Sequence, residues 1–123
     1  MFSKSLVFFS MILFALPLAS AQKAPLKIGV AGLTHTHVHW ILGRENRGDI
    51  EVVGIAEPNR ELAARYCEQH NDPLNKVYNT LEEMIAASQP QAIAAFGTIY
   101  EHLEVVEVAA PKGIHVMVEN RWP

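Results

Sequence analysis

From residue 26 onward the chain alternates two hydrophobic periods, and that alternation restricts its fold more than any other feature. Short, nearly continuous apolar runs at residues 26–31, 50–56, 92–96 and 114–118 are separated by stretches with apolar residues at i, i+3 and i+4. The short runs fit strands covered on both faces, and the longer period fits helices with one apolar stripe. The first helix carries Val38, Ile41 and Leu42 and is expected to end near Gly48. Asn59 suits the N-cap of a helix bearing Ala63, Tyr66 and Cys67, and Lys76-Val77-Tyr78 reads as a short third strand. Thr80-Leu81-Glu82-Glu83 has the capping-box form, with Leu81, Met84 and Ile85 on one face. A fourth helix, from Glu101 to Pro111, carries a Leu103, Val106 and Ala110 stripe and stops at Gly113. Strands joined through helices imply right-handed crossovers, so the expected class is α/β: a doubly wound parallel sheet of about five strands, ordered 3-2-1-4-5.

The first 21 residues stand apart from this pattern. Lys4 precedes an uncharged run over 6–18, and Ala19-Ser20-Ala21 offers the small-x-small pattern of a cleavage site. The run falls short of the roughly 20 residues that span a bilayer, so a signal peptide at 1–21 is expected, with a domain at 22–123 and no membrane span after cleavage. Without paired arginines or a cysteine at that site, the general secretory route to the periplasm or exterior is favoured over the folded-protein and lipoprotein routes. The net charge is −3, and removing Lys4 with the leader makes it −4. The cations are scattered, which argues against a nucleic-acid surface or a polybasic membrane patch. Cys67 is the only cysteine and is expected to be buried on the apolar side of its helix.

The first strand runs into its helix through Gly29-Val30-Ala31-Gly32-Leu33-Thr34-His35-Thr36-His37. A turn of this kind binds a dinucleotide when its backbone N–H groups approach a pyrophosphate at a helix N-terminus, which favours glycine. Gly32 occupies the first position of G-x-G-x-x-G, while Thr34 and His37 stand where the second and third glycines would be. Thr34 and Thr36 hydroxyls or the His35 and His37 imidazoles are candidates to replace lost phosphate contacts. The alternative is a threonine-capped helix that binds nothing. Glu57 ends the second strand about 25 residues after Gly32, where an acid accepts hydrogen bonds from the adenosine ribose and repels a 2′-phosphate. It favours NAD over NADP, although Arg60 nearby weakens the preference; an acid opening the turn at Pro58-Asn59 is the bland reading. His35, His37 and His39 also suggest a metal-dependent hydrolase fragment, with ligands two apart after a first strand. That reading requires further ligands that His70, His102 and His115 do not obviously supply, and no metal ligand is assigned.

Together the segments KIGVAGL (27–33), VVGIAEPN (52–59), VYNTLEEMI (77–85), QPQAI (89–93) and EHLEVVEVAAPKGIHVMVE (101–119) resemble the N-terminal NAD(P)-binding Rossmann domain of Gfo/Idh/MocA oxidoreductases. His102, Gly113, His115, Val116 and Glu119 match the family's most specific stretch. The resemblance implies a nicotinamide dinucleotide, NAD or NADP, and hydride transfer with a sugar, polyol or related carbinol, with His102 and Glu119 at the nicotinamide end. It also implies a lysine at the position of Asn120, where it would polarise the substrate oxygen; asparagine does not titrate. Asn120-Arg121-Trp122-Pro123 departs from the pattern in the manner of a one-base frame slip, and the chain is expected to be cut off before the family's second domain. As written it is expected to be catalytically inactive, with a non-catalytic nucleotide-binding module as the alternative.

Overall fold

The structure is a computed structural model that describes residues 21 and 23–119. The expected leader, apart from Ala21, and residues 120–123 lie outside the described residues. Five strands, β1 (Leu26–Ala31), β2 (Ile50–Ala56), β3 (Val77–Tyr78), β4 (Ala92–Ala95) and β5 (His115–Val118), form one sheet in the order β3-β2-β1-β4-β5. All the pairings are parallel. Four α-helices connect them: α1 (His39–Leu42), α2 (Arg60–His70), α3 (Leu81–Ser88) and α4 (Ile99–Ala109). The chain moves outward from β1 to β2 and β3, then returns to add β4 and β5 on the other side. The strand order therefore reverses between β1 and β4, and such a reversal opens a crevice at the carboxyl ends of the strands.

Successive strand residues point to opposite faces, so β1, β2, β3 and β4 each face two cores. Val30, Ile55 and Ala94 pack with Val38 and Leu42 of the first helical segment and with Ala63 and Cys67 of α2. Their neighbours Ala31, Ala56, Ile93 and Ala95 pack with Leu81, Met84 and Ile85 of α3 and with Val105 and Ala109 of α4. Cys67 is buried, as its place on the apolar side of α2 requires.

Four local expectations need correction. The first helix stops at Gly43, whose N–H donates to the His39 carbonyl, well before Gly48. The residues that follow form a turn braced by a two-pronged Arg44–Asp49 ion pair at 2.8 Å. The fourth helix begins at Ile99, capped by Thr98, and the reciprocal capping box is Thr98 with Glu101. At Thr80 only half of that device forms, with the Glu83 N–H donating to the hydroxyl at 3.2 Å. The face of α4 on the core carries Val105 and Ala109, leaving Leu103 63% exposed. Helix axial phase is set by where the chain leaves β4; starting two residues earlier does not change the period, but Val105 and Ala109 at i and i+4 are the pair that meets the sheet. As the expected order 3-2-1-4-5 requires, β5 is an edge strand, and Met117 and Val118 are exposed.

Candidate nucleotide-binding site

A cleft of about 260 Å³ opens at the carboxyl ends of the strands, lined by Gly32, Thr34, Glu57, Gly97 and His102 among others. Its floor is made of the small strand ends Ala31, Ala56 and Ala95. A wider depression of about 650 Å³ lies at the opposite edge, where Pro25 enters β1 and Ile50 begins β2. Volume alone does not mark the ligand site; the strand reversal and the glycine turn both place it at the carboxyl edge.

The turn after β1 is pinned at several points. The Gly32 N–H donates to the Ala56 carbonyl at 2.9 Å, and the His35 N–H donates to Phe96 O at 2.9 Å. Gly32 has φ 79°, and a Cβ there would lie 2.9 Å from both Cα and N of Gly97. The requirement for glycine therefore comes from the left-handed backbone and from close approach of the β4–α4 connection. The Thr34 hydroxyl donates to Phe96 O at 3.3 Å, so it is already engaged. Among the described residues, no acceptor meets the backbone N–H of Thr34 or Thr36, whereas those of Gly32, Leu33, His35 and His37 have partners. This pair of open donors suits an anionic oxygen better than the threonine side chains do.

Glu57 is only 4% exposed. Its Oε2 accepts the Leu33 N–H at 2.9 Å and its Oε1 accepts the Asn59 N–H at 2.9 Å. The carboxylate thus fastens the glycine turn to the end of β2, and the burial rules out a merely exposed acid opening a turn. Two carboxylate oxygens offer about four lone-pair directions, so capacity remains for ribose hydroxyls from the cleft. His102, on α4, also lines the cleft, and its buried Nε2 has no hydrogen-bond partner among the described residues.

The seven candidate cofactor residues fall into two groups. Gly32, Thr34, Glu57 and His102 line the cleft. His35 and His37 instead meet Glu119, which follows β5 and is held there by its N–H donating to Ala95 O at 3.4 Å. His35 Nδ1 lies 2.7 Å from Glu119 Oε2, and His37 Nδ1 contacts Glu119 Oε1. The His37 ring also stacks on Trp40 at 4.0 Å. His39 does not join them: its Nδ1 lies 2.7 Å from Nε2 of His70, so the proposed His35/His37/His39 trio is not what the fold assembles. Burial, reinforced by His39, pushes the His70 imidazole below its ordinary value, with Asp72 opposing. Gly97 went unnoticed in the sequence, although a glycine directly after a short apolar run is a usable sign of close backbone approach.

Among curated proteins none matches the chain in sequence. Solved structures do match. A myo-inositol dehydrogenase from Corynebacterium glutamicum is 26% identical with a TM-score of 0.63, over 78% of this chain and 28% of that one. A dehydrogenase from Chromobacterium violaceum is 22% identical at a TM-score of 0.64, over 78% and 28%. A UDP-N-acetylglucosamine 3-dehydrogenase from Acidithiobacillus ferrooxidans is 19% identical at 0.60, over 80% and 30%. The chain thus spans less than a third of each of these structures. Residues 26–120 match the oxidoreductase family with the NAD-binding Rossmann fold. By that match, over most of its length, the chain belongs to the Gfo/Idh/MocA oxidoreductase family and carries its NAD-binding Rossmann domain.

Proposed function

We propose that the domain binds NAD in preference to NADP, in the service of hydride transfer to or from a carbinol carbon of a sugar or polyol. The observation that carries this reading is Glu57, buried at the end of β2 with its carboxylate on the glycine turn and facing the cleft. In the bound state the open Thr34 and Thr36 N–H groups hold the pyrophosphate, and the Glu57 carboxylate accepts the ribose hydroxyls. His102 stands at the nicotinamide end, where its unpartnered Nε2 faces a polar ligand. The cofactor supplies the hydride chemistry, and the protein supplies its position. The sugar-type substrate class is supported by the names of two structural neighbours, a myo-inositol dehydrogenase and a UDP-N-acetylglucosamine 3-dehydrogenase.

Calorimetric titration with NAD and NADP tests the reading. Glu57→Gln keeps an acceptor for the Leu33 N–H but removes the charge, so NAD affinity should fall more than NADP affinity. Equal loss for both cofactors refutes the ribose assignment. Asn120 supplies no titrating group, so the polypeptide as written is expected to bind nucleotide without turnover. Reduction of NAD with any sugar or polyol by the purified chain overturns that part. We also propose export through the general secretory route, supported by the apolar run over 6–18 and Ala19-Ser20-Ala21. The exported protein should begin at Gln22; a soluble cytosolic pool that retains Met1 speaks against it.

A further inference from the structure

We propose that His35, His37 and Glu119 form a binding site for one divalent transition-metal ion of the zinc class. Each residue offers one ligand atom, and these atoms lie within 4.8 Å of one another. Zinc holds imidazole nitrogen and carboxylate oxygen at about 2.0–2.2 Å, so two donors on one ion lie no more than about 4.4 Å apart. Only a small closure separates the cluster from that geometry. The ligands come from both flanks of β4: two from the turn after β1 and one from the residue that follows β5. Both positions are fixed by backbone hydrogen bonds, His35 N–H to Phe96 O and Glu119 N–H to Ala95 O. The ring of His37 is further oriented by its stack on Trp40.

The hydrogen-bond balance of the cluster calls for a cation. His35 Nδ1 faces the cluster, 3.2 Å from the backbone nitrogen of His37. The same Nδ1 lies 2.7 Å from Glu119 Oε2, an atom shielded from water that receives no hydrogen bond among the described residues. An acceptor nitrogen and a buried carboxylate oxygen this close repel unless positive charge lies between them. A proton on His35 Nδ1 or a metal ion at the cluster supplies that charge, and either one takes the single Nδ1 lone pair from the long His37 N–H contact, but a proton serves only one imidazole. A metal ion serves the carboxylate and both imidazoles at once.

The donor set also defines the ion. Two nitrogens and a carboxylate without thiolate suit zinc, iron(II), cobalt(II) or nickel(II), whereas magnesium and calcium take oxygen ligands. Three protein ligands leave coordination positions open to water or to an oxygen of a small molecule. The His37 side chain is 40% exposed, so the site has an open side. The site does not depend on the nucleotide reading, because none of its three residues lines the cleft.

The test uses the full, untagged chain, stripped with a chelator and titrated with cobalt(II) and then zinc(II) without nucleotide. Calorimetry should give one ion per chain, and cobalt should produce visible d–d absorption that zinc abolishes. Loss of an outer hydrogen-bond partner of a metal ligand already costs about tenfold in affinity. Loss of a ligand in His37→Gln or Glu119→Gln should therefore cost more than that. His39→Gln, which alters only the neighbouring pair with His70, should bind cobalt as the parent does. Far-UV circular dichroism of each variant confirms that the fold persists. The proposal is overturned by absence of saturable binding, by unchanged affinity in His37→Gln and Glu119→Gln, or by equal loss in His39→Gln.

Discussion

Removing the Glu57 carboxylate should destabilise the domain by a predictable amount, through two backbone donors of unequal burial. Leu33 is fully buried, and its N–H donates to Glu57 Oε2 at 2.9 Å. In Glu57→Ala that donor has no partner and no water, at a cost of about 1–3 kcal/mol. The Asn59 N–H, bonded to Oε1, lies where α2 begins and is only partly buried. Water replaces its partner, so it adds no more than about 1 kcal/mol. The sum is about 1–4 kcal/mol, a sizeable part of the roughly 5–15 kcal/mol that holds a domain together. Glu57→Gln retains one carbonyl oxygen, which should stay with the Leu33 N–H while the amide nitrogen turns toward the wetter Asn59 side; its expected cost is about 1 kcal/mol. Urea denaturation followed by circular dichroism measures both changes. If Glu57→Ala lies within about 0.5 kcal/mol of the parent, or Glu57→Gln costs as much as Glu57→Ala, the staple between the glycine turn and β2 is not what holds this edge.

Gly32→Ala should lower stability more than Gly48→Ala. Both glycines have positive φ, 79° and 72°, but a Cβ at Gly32 meets Gly97 backbone at 2.9 Å while one at Gly48 has nothing within 4 Å among the described residues. The left-handed backbone alone accounts for about 1–2 kcal/mol, and equal melting temperatures for the two variants refute the close-approach argument. His70 favours its neutral form when folded, so its contribution to stability is present above the ordinary imidazole value of about 6.5 and is lost as acidification carries pH down through the lowered one. His70→Gln should flatten that part of the stability–pH curve; an unchanged slope counts against it. Burial, with Asp72 adding to it, pushes the Cys67 thiol up, so disulfide-exchange reagents should label it slowly at neutral pH and rapidly in urea. Rapid labelling of the folded chain contradicts its placement in the core.

The strands were legible because burial on two faces leaves a continuous apolar signature: β1 and β2 run over the residues expected of them, and the order β3-β2-β1-β4-β5 follows from short right-handed connections. Helix termini were less legible, because several residues near each one satisfy the local rule. Thr80 and Thr98 are both followed by a glutamate three residues on, and only Thr98 completes the reciprocal box. The face of α4 was misjudged for a related reason. Leu103 and Val106 fit an apolar stripe as well as Val105 and Ala109 do, and only docking against the sheet distinguishes them. An apolar residue on a helix announces that some face is covered without saying which one the sheet covers.

The site divided along the same line, between what is local in sequence and what the sheet brings together. The places of Gly32 and Glu57 at the cleft were readable because both obey a spacing set within one strand–helix–strand unit. The contacts of Glu119 were not, because its partners lie 84 and 82 residues away along the chain and meet it only when β5 pairs with β4 beside β1. Periodicity carries no information about side chains that converge across three strands. The histidines posed the converse problem. Spacing of two offered His35, His37 and His39 as one set, but the 3₁₀ turn Thr36–Val38 and the start of α1 at His39 rotate the third ring away toward His70. In an extended strand, residues two apart share a face; once the backbone turns helical, they diverge. His35 keeps an extended backbone, φ −91° and ψ 129°, and its side chain is tied to the His37 N–H, so this one residue decides which of its neighbours can share a ligand with it.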